Sequence, residues 1–286
     1  MSIRVCCFCV IYGNQLFWGV MFDTHCHLHD LRIRDDIAGV LERARSAGVE
    51  HMLCCAVGPE DWAEVSELAA DFGEIIPAFG IHPWKVHEVG ESDWAERLRG
   101  YLEDNPAACV GEIGLDGAVS PRCDELQMDM FLRQMRIAKE YRRPVSVHCV
   151  KVWGRLLDAL EAVGDMPAGV VMHSFGGSLE MAESLMKYGV YFSFSAAITN
   201  PASLRAAAVV RSIPLERMLL ETDAPDGMPY NMRGDCRPNE PANLTVAAKR
   251  IAELKGIPVE KVADVTTDNA KRVFGSILVG CRLLGR

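Results

Sequence analysis

Eight short apolar runs, each followed by a stretch of helical periodicity, constrain the fold of this chain more than any other feature. The runs occupy residues 20–24, 49–57, 75–81, 107–115, 144–150, 169–174, 190–194 and 217–222. Between them, at 34–47, 59–72, 93–104, 124–141, 153–163, 179–188 and 202–211, apolar side chains recur every three or four residues with charged ones opposite. Two more helical stretches close the pattern at 241–255 and 259–274. Strands that are apolar on both faces need cover on both faces, and alternation with helices makes their sheet parallel. Eight such units predict a (β/α)8 TIM barrel, which typically takes about 250 residues. An open doubly wound sheet is the other arrangement these elements allow. No linker or low-complexity tract divides the 286 residues. The expected organisation is an N-terminal extension over 1–20, one barrel domain over 21–275 and a C-terminal tail over 276–286.

Charge and cysteine content narrow the setting. A net charge of −9 argues against a broad basic surface for gripping long nucleic acid. It leaves room for a small site in which metal ions supply the positive charge. The eleven cysteines are odd in number and scattered, with Cys54, Cys55, Cys109 and Cys149 inside apolar runs, which fits a reduced intracellular protein rather than a disulfide framework. Cys6 and Cys9 form a lone C-x-x-C without a second pair. The apolar run at 5–12 is short, and Asn14 and Gln15 keep it from extending. No segment reaches the roughly 18 apolar residues a membrane span needs. Cytoplasmic placement, without membrane or obligate protein partner, is the resulting expectation.

A TIM barrel builds its site at the C-terminal rim of its strands. Strand by strand, that position reads His25 and His27, then His82, Glu112, His148, His173 and Asp223, which takes in five of the eight histidines. His25 and His27 are two apart, so an extended strand projects both from one face. One strand-end histidine is usually a hydrogen-bonded core residue. Five of them on one rim with two carboxylates point to a metal centre.

The residues around these positions form ordered motifs: Phe22-Asp23-Thr24-His25-Cys26-His27-Leu28, Gly80-Ile81-His82-Pro83, Val110-Gly111-Glu112-Ile113-Gly114-Leu115-Asp116, Pro144-Val145-Ser146-Val147-His148, His173-Ser174-Phe175-Gly176-Gly177-Ser178 and Leu220-Glu221-Thr222-Asp223-Ala224-Pro225. In this order the chain resembles the TatD family of metal-dependent deoxyribonucleases, from about Phe22 to Phe274. Gln127, Phe131 and Gln134, the stretch Asn239 to Leu244, and Asn269-Ala270 add to the likeness. The resemblance implies two divalent ions (Mg, Mn or Zn). His25, His27 and Asp223 would hold one, His148 and His173 the other, and Glu112 would bridge them. It also implies DNA as substrate, hydrolysed by a metal-activated water, with Asp223 and Glu112 as catalytic residues and Asp223 orienting or deprotonating the water. A rim pocket with little basic surface suits exonucleolytic cleavage at a strand terminus better than a long duplex tract. An aminoacyl ester, as in a D-aminoacyl-tRNA deacylase, is the alternative substrate within the same chemistry.

Other expectations concern residues near the rim. His82, Lys151, Arg233 and Arg237 are candidate substrate contacts, and Lys85 and Trp153 are placed to reach a phosphate or a base. Glu221, two residues before Asp223, is expected to support a ligand histidine. His29 is expected past the rim as a non-ligand, and His51 and His87 as exposed. Where many relatives carry an arginine two residues after the fifth-strand histidine, this chain has Val150 followed by Lys151. A lysine lacks the bidentate fork of arginine, so phosphate recognition is expected to differ.

Overall fold

The computed structural model describes residues 19–89, 93–166, 168–232, 234 and 237–283, with side chains through residue 275. Residues 1–18 of the expected extension and Arg233 lie outside these. Eight parallel strands are described, β1 (Met21–Cys26), β2 (Val49–Cys55), β3 (Ile75–Phe79), β4 (Cys109–Asp116), β5 (Val145–Val150), β6 (Val170–Met172), β7 (Tyr191–Phe194) and β8 (Met218–Leu220), paired in sequence order. The order 1 to 8 without a reversal is that of a (β/α)8 barrel and excludes the doubly wound sheet. Closure between β8 and β1 relies on groups at and just beyond the strand ends. Thr24 Oγ1 donates to the Leu220 carbonyl (2.9 Å), the Asp223 amide to His25 (2.9 Å) and the His27 amide to Ala224 (2.7 Å). The buried Asp23 carboxyl accepts the Thr222 amide at 2.9 Å across the same seam.

Two apolar layers hold the barrel. The outer one lies between strands and helices and includes the fully buried Trp62, Trp94, Phe79 and Phe131. The inner one joins Phe22, Leu53, Ile76, Cys109, Val171 and Leu219 to Ala270, Val273 and Phe274 of the last helix. Phe22 stacks on Phe274 with centroids 5.3 Å apart, so that helix closes the barrel at the end opposite the rim. The helix spans Val259–Leu283 and continues past the position at which a tail was expected. No described helix is long and apolar enough to cross a membrane.

The inner layer also explains how the rim is aimed. On β6, Val171 faces the interior and His173 follows two residues later. On β8, Leu219 is followed two residues later by Glu221, as strand alternation requires, while Asp223 lies past the strand end and is aimed by its own backbone at φ +58°. On β1 and β4 the spacing is three: Phe22 to His25 and Cys109 to Glu112. Alternation alone would turn each pair to opposite faces. Both strands carry a register irregularity at the needed place, between Asp23 and Cys26 on β1 and between Val110 and Ile113 on β4. An extra residue there re-aims the chain, so a core residue below and a functional residue above share one face.

Two glutamines brace the rim from outside. On the helix Asp124–Glu140, Gln127 and Gln134 are buried on the core-facing side. Gln134 accepts the Ile81 amide (2.7 Å) and donates to the Ile81 carbonyl (3.2 Å), as a neighbouring strand would. Gln127 does the same for Asp116 (2.7 and 3.1 Å). The residues so fixed are Asp116 and the neighbour of His82. Gln134→Leu leaves a buried N–H and C=O without partners, so urea unfolding should show a loss of about 2–4 kcal/mol. A loss below about 0.5 kcal/mol would remove this bracing role.

Candidate metal centre

Glu112 is the hub of the rim. It is buried, and its two oxygens face different histidines. Oε2 lies 3.3 Å from His25 Nε2 and 3.6 Å from His27 Nε2, whereas Oε1 lies 3.1 Å from His148 Nδ1, 3.4 Å from His82 Nε2 and 3.6 Å from His173 Nε2. Asp223 Oδ1 stands 3.7 Å from His27 Nε2, on the His25–His27 side. Three groups of candidate ligand atoms lie close enough to share an ion: His25, His27 and Glu112; His82, Glu112 and His148; His25, His173 and Glu221.

The outward nitrogens decide which way the lone pairs point. His27 Nδ1 sits 2.7 Å from the Cys55 carbonyl, an acceptor only, so it donates there and leaves Nε2 bare. His148 Nε2 lies 3.2 Å from Asp116 Oδ2, and His173 Nδ1 lies 3.2 Å from Glu221 Oε2. A carboxylate on each outer nitrogen likewise leaves His148 Nδ1 and His173 Nε2 as inward lone pairs. His25 Nδ1 meets Ser146 Oγ at 2.9 Å, and its Nε2 faces that of His27 at 3.3 Å. Bare nitrogens facing one another and a carboxylate repel unless a cation, a metal ion or a proton on the rings, sits among them. This donor set, imidazole nitrogen plus carboxylate oxygen with outer partners fixing each tautomer, fits a divalent metal such as zinc or manganese.

The charge balance agrees. Burial works to raise the Glu112 carboxyl, but the surrounding His82, His173, His25 and His148 hold it well below the usual carboxylate range. Burial also opposes ionisation of Asp223, and His173 and His27 outweigh it, so Asp223 is lowered. Burial lowers His25, with the charge of His173 adding to the effect, and burial lowers His82. In His173 burial is outweighed by Glu221 and Glu112, which lift it to about 10, and His27 and His148 are raised by their carboxylate neighbours in the same way. In the absence of a metal, protons at these imidazoles neutralise the carboxylates.

Backbone close approach fixes two of these groups. Gly114 has φ +152°, and a Cβ there would lie 2.0 Å from the His148 carbonyl oxygen. Gly227 has φ +65°, and its Cβ would meet the Thr222 carbonyl at 2.4 Å beside Asp223. Only glycine allows the chain to pass so near both side chains. Asp223 itself takes φ +58°, and Asn239 holds the loop behind it by donating to the carbonyls of Thr222 (2.9 Å) and Asp226 (2.8 Å).

The chain carries the family pattern through this whole frame. A model described as TatD related DNase matches residues 22–275. The chain belongs to this family. It is 32% identical to the metal-dependent hydrolase YabD of Bacillus subtilis over 257 residues, which is 89% of this chain and 99% of that protein. It is 33% identical over 272 residues to tatdn3 of Danio rerio, whose name gives a provisional deoxyribonuclease assignment, covering 90% of this chain and 98% of that one. Its structure superposes on the crystal structure of the TatD homologue YjjV of Escherichia coli with a TM-score of 0.84 at 32% identity, over 89% of this chain and 98% of YjjV.

Within this TatD-family barrel, six of the seven rim residues read from the sequence line one cleft of about 340 Å³, and His25 is fully buried just behind it against Glu112 and His27. His29 lies in the turn after β1, 3.6 Å from Asp61, and that carboxylate and Cys54 raise it to about 10 against the effect of burial. His51 differs from expectation: it is half-buried against the Phe22 ring at 5.6 Å, not exposed. Lys85 is tied to Glu60 (3.0 Å) and Glu88 (2.9 Å), and Trp153 packs on Phe175 at 5.1 Å as a helix-packing residue. Lys151 is exposed directly after β5, at φ +62°. Arg237 lines a neighbouring groove of about 440 Å³ with Arg32 and Arg43 instead of the metal cleft. Asp116, Ser146 and Trp84 were given no role by the sequence. Strand parity carried a signal for two of them, since Asp116 shares a face with Gly114 on β4 and Ser146 with His148 on β5.

Proposed function

We propose that this protein is a metal-dependent hydrolase that cleaves DNA phosphodiester bonds from a strand end, with two divalent ions bridged by Glu112. The observation that carries this reading is the division of the Glu112 oxygens, Oε2 toward His25 and His27 and Oε1 toward His148 and His173. Asp223 completes the first group, and the second is held in shape by Asp116 and Glu221. Divalent ions in such a site supply neutralisation of phosphate-oxygen charge and a water of lowered pKa. Asp223 stays ionised and faces the cleft, so it can orient that water and take its proton. His82, buried beside Glu112 and His148, is placed to donate to a phosphate oxygen once its Nε2 carries the proton.

Size and charge favour a strand end as the substrate. A cleft of about 340 Å³ accepts a terminal nucleotide rather than a length of duplex. Arg32 beside it is already paired with Asp30 and Asp226. Lys151 is the cation with no ion pair near the rim among the described residues, and we assign it to the strand backbone.

End-labelled single- and double-stranded DNA, incubated with Mg, Mn, Zn or EDTA, tests this reading. Metal-dependent shortening from one end is expected. Intact DNA under every metal, from protein that holds two ions, would move the activity to another ester, and a D-aminoacyl-tRNA should then be hydrolysed in its place.

Glu221 gives a separate check. Its Oε1 accepts the Ser174 amide (2.7 Å) while Oε2 faces His173 Nδ1. Glu221→Gln must turn an NH2 toward one of these two donors, which loosens the His173 ring. Metal affinity, read by competition with a chromophoric chelator, is expected to fall about 10- to 100-fold.

A further inference from the structure

We infer that Trp84 forms a base-stacking subsite beside the metal centre, taking the nucleobase of the nucleotide being removed. The inference rests on the proposed nuclease reading and names how that site would recognise its substrate. Trp84 is 58% exposed, whereas Trp62 and Trp94 are fully buried. Its position is nevertheless fixed. The indole Nε1–H donates to Asp116 Oδ2 at 2.7 Å, and Asp116 Oδ1 accepts the Ala118 amide at 2.7 Å. The same Oδ2 lies 3.2 Å from His148 Nε2, so one carboxylate oxygen anchors both the exposed ring and a candidate metal ligand. The Trp84 ring stands edge-on to His82 at 4.6 Å and to His148 at 6.2 Å between centroids, and it lines the metal cleft.

An exposed tryptophan that serves no purpose loses nothing by rotating freely. A ring pinned at its edge, with open surface, is pre-organised for a flat ligand at low entropic cost. The distance from Trp84 to His148 and His82 is within the span of one nucleotide, whose base and phosphate could then lie on the indole and at the metal ligands together. Stacking needs no base-specific hydrogen bond, so the subsite would accept any of the four bases. Lys151 follows β5 at the point where Val150 is in register with Asp116, which puts a cation on the same arc of the rim for the next phosphate.

The test uses the metal-loaded enzyme and two variants. Trp84→Ala removes both the ring face and the N–H to Asp116, whereas Trp84→Phe removes only the N–H. Steady-state kinetics are measured on an oligonucleotide with an ordinary terminal nucleotide and on one whose terminal nucleotide is abasic. Trp84→Ala is expected to raise KM for the ordinary end about ten- to a hundredfold. Trp84→Phe should stay within about threefold of wild type, and the abasic end should already show the high KM in wild type. Equal defects in Ala and Phe, or a fall in kcat with KM unchanged, would assign Trp84 to holding Asp116 and overturn the subsite. Quenching of tryptophan fluorescence by dAMP, lost in Trp84→Ala, provides a readout independent of turnover. DNA hydrolysis by wild type with an unchanged KM in Trp84→Ala would sink this inference alone. A wild type that neither cuts DNA nor binds dAMP would take the nuclease reading down with it.

Discussion

On the proposed two-ion reading, Glu112→Gln is expected to lose both metal ions and about a thousandfold in turnover while keeping the barrel folded. Its carboxylate is the common neighbour of five imidazole nitrogens between 3.1 and 3.6 Å away. An amide offers one acceptor oxygen and turns an NH2 donor toward the remaining imidazoles. The charge that binds the two halves of the site is removed with it. Affinity for both ions should fall by about a hundredfold or more, since altering even outer supports of a metal ligand costs 10- to 100-fold. Several kcal/mol of charge stabilisation in the reaction go with the ions, and about 4 kcal/mol corresponds to the thousandfold. Isothermal titration with Mn or Zn checks the first part and the DNA assay the second. Loss of one ion with the other retained at wild-type affinity would show that Glu112 serves a single site.

Asp223→Asn should behave differently. The seam with β1 depends on the Asp223 amide bonded to the His25 carbonyl, not on the side chain. Asparagine also tolerates the φ of +58° found here. The fold and its melting temperature should therefore be kept. The new amide cannot take a proton from water, and it ligates a cation weakly. At saturating metal, kcat should fall about 10²- to 10⁴-fold, the usual contribution of a positioned general base. Near wild-type kcat in this variant would remove Asp223 from the chemistry.

Much of this was legible in the residues, and the parts that were not have physical reasons. The barrel followed from helix-period stretches alternating with strands apolar on both faces, because only burial on both sides tolerates such strands. The rim followed from placing His82, His148, His173 and Asp223 at strand ends. His25 and Glu112 were found by the same rule, yet their aim depends on register irregularities on β1 and β4, which depend on pairing with neighbours and leave no mark in the composition of either strand. Partners from distant segments were equally hidden. Gln127 holding Asp116, Asp116 holding Trp84 and Asp61 facing His29 are each a meeting of separate elements. Trp153 is an aromatic close to the rim in sequence but packs inward on Phe175, whereas Trp84, beside the Gly-Ile-His-Pro motif, stands open to solvent. Helix packing and the Asp116 hydrogen bond separate the two, and neither shows in local sequence.

The central claim is that one buried carboxylate joins two ions. Anomalous diffraction from crystals grown with Mn or Zn tests it most directly. Two peaks are expected on opposite sides of Glu112, one on the Oε2 side with His25, His27 and Asp223, the other on the Oε1 side with His148 and His173. A single peak at full metal saturation, or two peaks of which one lies away from Glu112, would contradict it.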